Sequence, residues 1–262
     1  MPAEVARLDL RLRRRSLIWY AVGMAVYAFL IVAMYPAMKA DTGLESLAAD
    51  NPTLMALFGV SGSLTSPVGW VNGNLYANFL PLLLLLITVA YGAAAVAGQA
   101  DEGALGLVAT LPLSRARLVA EKAGALVVLA LPLSAVTLAC VLLGREYDLD
   151  LAVGPLVGTT AAATLLAVDF GLLALLIGAL TGSRGLALGL SSAVAAASYL
   201  VSSLAPAVHA FNTARGVSLF YWAVGDGQLE HGPSGLAWAV LLVVGAGLLV
   251  GSVVAVRRLD IP

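Results

Sequence analysis

The chain has 262 residues, of which 61% are hydrophobic and 11% charged, with a mean hydropathy of +0.97. Soluble domains carry about 25% charged residues, so a water-soluble globule is excluded; disorder is excluded too, because it needs low hydrophobicity and high charge. Fourteen basic and fifteen acidic residues leave a net charge of −1, which gives no general attraction for nucleic acid, and a single cysteine, Cys140, rules out an intrachain disulfide.

The first sixteen residues are basic. Val5, Leu8 and Leu12 share one helical face, while Arg7, Arg11, Arg14 and Arg15 surround the other. This pattern predicts a short interfacial helix over residues 1–16, lying along a leaflet with its arginines at anionic lipid headgroups. The apolar run that follows is longer than a signal-peptide core, and residues 35–40 offer no small-x-small cleavage site, so a retained anchor is expected.

A transmembrane helix needs about 20 mostly apolar residues. Six stretches qualify: Leu17–Tyr35, Leu75–Ala97, Val119–Leu143, Leu156–Leu180, Leu186–Pro206 and Leu236–Val256. None alternates with the period of a membrane barrel. The predicted fold is all-α: one transmembrane domain of six helices over residues 1–262. Eleven of the fourteen Lys and Arg residues fall on the side of the two termini, and Lys39, Arg145 and Arg215 fall on the other. By the positive-inside rule both termini are cytoplasmic in a multi-pass protein of the cell membrane.

Two outer loops are long, Pro36–Asn74 and Val208–Ser234. Trp70, Tyr76, Trp222 and Trp238 are expected near the outer headgroups as anchors. Glycine pairs at one-turn spacing (154/158, 178/182, 185/189 and 247/251) suit close helix packing, within the chain or between subunits.

Asp169 lies near the middle of the fourth span, with Thr159, Thr160 and Thr164 toward its outer end and Ser191, Ser192, Ser198, Ser202 and Ser203 on the next span. A carboxylate at such depth is costly and finds partners. It reads either as a cation, proton or cationic-substrate site, or as an acid neutralised or hydrogen-bonded within the bundle to fix packing. A stand-alone secondary transporter would use it in the first way. Gly59-Val60-Ser61-Gly62 matches the spelling of an intramembrane serine protease with His209 as a partner, but both residues fall in loops, where nucleophile and base have no evident reason to meet.

The second and third spans are joined by a cytoplasmic segment beginning Gly98-Gln99-Ala100-Asp101-Glu102-Gly103. Asp101 and Glu102 suit a helix start, Leu105, Val108 and Leu111 form an apolar face, Pro112 stops the helix and Ser114 can cap the third span, followed by Arg115 and Arg117. A short helix held there is a handle for a soluble partner. In Glu102-Gly103, Leu111-Pro112-Leu113-Ser114-Arg115 and the spacing to Lys122, the chain resembles the type-2 permeases of ATP-binding-cassette exporters. Six spans, both ends inside and a Val256-Arg257-Arg258 ending also fit, and the Ala-rich, lysine-poor composition looks like a bacterial branch that exports antibiotics or other drugs.

The resemblance implies that residues about 99–117 are the coupling helix seated on a cassette ATPase subunit, that the first helix adds a second contact, and that two permeases, identical or paired, form one pathway. This chain has no Gly-x-x-x-x-Gly-Lys-Ser/Thr phosphate loop, and its two lysines, Lys39 and Lys122, stand in no such context. No catalytic residue, metal or cofactor is therefore expected here; ATP and Mg²⁺ belong to the partner. The cargo of such a pathway would be a hydrophobic or amphipathic small molecule, a drug, antibiotic or lipid.

Overall fold

Only Ser16 separates Arg15 from the first apolar run at Leu17, and serine does not break a helix. Residues Glu4–Met38 accordingly form one helix, α1, of 35 residues. At 1.5 Å per residue this rod is about 52 Å long, well beyond the ~30 Å of bilayer hydrocarbon. The interfacial helix expected over residues 1–16 is thus not separate: from Glu4 onward it is the first part of α1. Leu12 points away from the bundle at 76% exposure, whereas Asp9, Leu10 and Arg13 are half-buried against it.

The computed structural model describes residues 4–40, 43, 50, 63–98, 115–205, 208–225 and 227–258. After α1, Ser66 caps α2 (Pro67–Val71) by accepting from the Gly69 N–H at 3.0 Å, with proline at the first helical position where no N–H is needed. A π turn, Asn72–Tyr76, leads to α3 (Phe79–Ala93), and a second π turn, Ala94–Gly98, ends it. Then come α4 (Arg115–Leu143), α5 (Val153–Thr181) and α6 (Arg184–Leu204). Three short helices, α7 (His209–Ala214), α8 (Leu219–Val224) and α9 (Gln228–His231), precede α10 (Gly235–Arg258). Helices α1, α2–α3, α4, α5, α6 and α10 give six rods long and apolar enough to cross a membrane, in the six places expected, and there is no strand among the described residues.

Apolar on all sides, α5 takes the centre and packs on α3, α4, α6 and α10. Helix α1 lies on α4, and the rim helices α1 and α6 turn Trp19, Val26, Leu186 and Leu190 outward, as lipid-facing helices do. A close backbone approach between two spans lies outside the four glycine pairs. It joins Gly92 of α3 to Gly171 of α5: a β carbon at Gly92 would strike the Gly171 carbonyl, and one at Gly171 would lie 2.6 Å from Leu126 Cδ2. Among the paired glycines, Gly154, Gly189 and Gly247 face open space. Gly182, at φ 64°, ends α5 in the left-handed conformation, and the Ser183 side chain caps α6, so two residues reverse the chain.

The start of α1, the flanking residues Gly98 and Arg115, the Gly182–Ser183 turn and the end of α10 share one end of the bundle, the basic end. At the opposite, loop end, Tyr76 Oη meets Thr160 Oγ1 at 2.7 Å, Thr164 donates to Ser134 Oγ at 2.7 Å and Thr159 donates to the Gln228 carbonyl at 2.7 Å. Trp70 Nε1 donates to the Ile31 carbonyl at 2.9 Å. Trp70 and Tyr76, expected as anchors facing headgroups, are buried and serve to pack α2–α3 against α1 and α5. The reason is their polar tips, which find partners inside the bundle.

Candidate functional site

Three helices converge at the basic end on one carboxylate oxygen. Lys122 Nζ of α4 lies 2.7 Å from Asp9 Oδ2 of α1, and the Tyr91 hydroxyl, in the last turn of α3, donates to the same oxygen at 2.6 Å. The Arg13 guanidinium stands 5.2 Å from the Tyr91 ring centroid and Lys122 Nζ 5.9 Å from it, so the ring face sees two cations. The Lys122 side chain is 2% exposed and that of Asp9 18%. An ammonium taken out of water costs several kcal/mol unless an anion meets it, so Asp9 is what permits Lys122 at this depth. The clasp flanks the connection between spans: Tyr91 precedes Gly98 by seven residues, and Lys122 follows Arg115 by seven.

The second polar feature lies in the middle of α5. Asp169 is fully buried, and neither carboxylate oxygen has a hydrogen-bond partner among the described residues. The threonines toward the outer end of the helix bond Tyr76, Ser134 and Gln228, and Ser198, one of the serines on the next span, bonds Ser218. Ser191 is buried and has no partner among the described residues, and it does not bond Asp169. Among the described residues no hydrogen bond of Asp169 fixes the packing of the bundle. What accommodates the acid is Gly245 of α10, where a β carbon would collide with Asp169 Oδ1.

Residues 3–221 match the family described as ABC-2 family transporter protein. The chain belongs to the ABC-2 transporter family. No curated protein matches it. An ABC-2 chain is the membrane part of a transporter whose power comes, in the family at large, from a cassette ATPase.

Of the ABC-2 coupling residues expected from the sequence, Asp101, Glu102, Gly103, Leu105, Leu111, Pro112 and Ser114 lie outside the described residues, and Arg115 opens α4. Arg7 lies in the helical backbone of α1, and Arg11, Arg14 and Arg15 are exposed on it. Ser61 is outside the described residues and His209 opens α7. The clasp itself was missed. Its signals were present: a lysine seven residues inside a helix that enters the membrane requires an anion, and Asp9 is an acid set one turn before Arg13 in an arginine-rich helix.

The ABC-2 bundle also carries an apolar cavity of about 430 Å³ between α3 and α6, lined by Leu82, Leu86, Val89, Leu188, Tyr199 and Phe220 among others. Such a lining suits an apolar or amphipathic surface, with the hydroxyls of Ser192 and Tyr199 as its polar groups.

Proposed function

We propose that this chain is the permease subunit of an exporter in the cell membrane, with both termini in the cytoplasm. Two such permeases, identical or paired, enclose a path for a hydrophobic or amphipathic molecule such as a drug, antibiotic or lipid, and a separate cassette ATPase carrying ATP and Mg²⁺ drives it. The observation that carries this is the family match over residues 3–221. The eleven-to-three partition of basic residues supports the orientation. The clasp of Asp9, Tyr91 and Lys122 supports the coupling role of residues 99–117, because it joins the helices before and after that segment to α1. A push on the segment then reaches three rods as one body.

The test is purification of the native complex in mild detergent. A cassette ATPase should co-purify, and Glu102→Lys or Leu111→Asp should weaken its recovery or uncouple ATP hydrolysis from transport while the permease still reaches the membrane. A lone chain that transports on an ion gradient would overturn the proposal in favour of a secondary transporter centred on Asp169.

A further inference from the structure

A groove runs along the outside of the bundle between α1 and α4, with a volume of about 350 Å³ and a lining that includes Leu10, Arg11, Arg14, Leu17, Val128 and Pro132. On α1 the lining residues recur at positions 10, 14, 17 and 21, one helical stripe. On α4, Val128 and Pro132 are one turn apart, and the next position of that stripe toward the basic end is Gly124, whose missing side chain leaves open space. The groove is therefore greasy toward the bilayer centre and open at the level of the two arginines.

The electrostatics are one-sided. Arg13 is engaged with Tyr91, Lys122 with Asp9 and Arg117 with Glu121, but Arg11 and Arg14 are exposed and have no ion-pair partner among the described residues. Arg14 precedes Leu17, the start of the apolar run, by three residues, or about 4.5 Å of helix. That places both guanidiniums at headgroup depth while Leu17, Ile18, Ala21, Val128 and Pro132 continue into hydrocarbon. Arginine is suited to phosphate because its planar fork gives two parallel N–H donors.

We infer that this groove is a binding site for one anionic phospholipid, its phosphate held by Arg11 and Arg14 and the upper part of an acyl chain lying between α1 and α4. A neutral lipid would meet the same apolar walls but leave the pair of cations without a net counter-charge. The site abuts the clasp, since Leu10 and Arg11 follow Asp9 directly, so its occupancy bears on the helix that carries the ion pair.

The experiment uses the full chain in nanodiscs of equimolar phosphatidylcholine and phosphatidylglycerol, with retained lipid counted by native mass spectrometry. The wild type should retain one phosphatidylglycerol in preference to phosphatidylcholine by about thirtyfold, which is about 2 kcal/mol for two arginines. Arg11→Gln with Arg14→Gln should abolish the preference, and Arg184→Gln, an exposed arginine at the start of α6, should leave it intact. Gly124→Leu, which raises helix propensity and fills the groove, should expel both lipids and keeps the test decisive if the double variant fails to fold. Equal retention of the two lipids by the wild type, a loss in Arg184→Gln as large as in the double variant, or undiminished retention in Gly124→Leu would each overturn the site.

Discussion

Lys122 and Asp9 meet at 2.7 Å across the α4–α1 contact, and the lysine, not the aspartate, is the partner cut off from water. The asymmetry sets the cost of breaking the pair. Removing one member of a fully buried pair costs about 3–5 kcal/mol, because the survivor stays charged and dry. Lys122→Met leaves an aspartate that can rehydrate, so its cost should be smaller, about 2 kcal/mol. Asp9→Asn strands the buried lysine and should cost more. Thermal or denaturant unfolding in detergent measures both, and Asp9→Asn combined with Lys122→Met should lose about 0.5–3 kcal/mol less than the two single changes predict. Strict additivity would mean that the two residues do not act as a unit.

The Gly92–Gly171 crossing gives a second expectation. The atom facing Gly92 is the backbone carbonyl of Gly171, which cannot rotate aside as a side chain can. Gly92→Ala should therefore separate α3 from α5 and destabilise by about 1–3 kcal/mol, despite alanine's better helix propensity. Gly247→Ala, where a β carbon meets nothing, should be neutral or slightly stabilising. Similar melting temperatures for the two variants would show that the crossing yields easily.

Orientation can be checked from both faces. A cysteine at Ser234, beside the start of α10, should react with an impermeant thiol reagent added outside intact cells, and one at Arg184 should react only after permeabilisation. Native Cys140 is buried and should stay silent. Labelling of the Arg184 position from outside would invert the topology and remove the coupling role proposed for residues 99–117.

The six rods were legible because each apolar run is as long as the hydrocarbon is thick, and length alone identifies a span. Lys39 and Arg145 were placed together, on the side away from the termini, once the spans were known, and each has an exposed ion pair there, Lys39 with Asp148 at 2.8 Å and Arg145 with Asp150 at 3.3 Å. Long-range pairing was not legible. Asp9 and Lys122 are 113 positions apart, and nothing local in either segment names the other. The glycine spacing named no neighbour for a related reason: a Gly-xxx-Gly pair marks a helix face that permits close approach, as Gly158, Gly178 and Gly251 show against Pro233, Ala187 and Leu176, whereas the neighbour is set by the arrangement of all six rods. Gly92 and Gly171, unremarkable in sequence, are where two backbones meet.

Asp169 and Gly245 form the last such pair, and their relation predicts an unusual double-variant result. An acid with no hydrogen bond among the described residues, at the centre of α5, opposes stability, because its desolvation is uncompensated. Gly245 keeps α10 in contact with α5 by leaving room for the carboxylate. Gly245→Ala should force the Asp169 side chain off its rotamer and cost about 0.5–1.5 kcal/mol, less than Gly92→Ala, because Oδ1 is the tip of a side chain that can turn aside. Asp169→Ala removes both the unpartnered carboxyl and the obstacle, so it should be no less stable than the wild type, the small cavity set against the relieved desolvation. With Asp169→Ala in the background, Gly245→Ala should lose most of its cost, since the new methyl enters the space that the carboxyl vacates. Unfolding of the four proteins in the same detergent closes the cycle. A marked loss in Asp169→Ala alone would mean that the acid is held by a bond in the folded bundle, and an undiminished cost of Gly245→Ala in its absence would mean that the carboxylate is not what Gly245 accommodates.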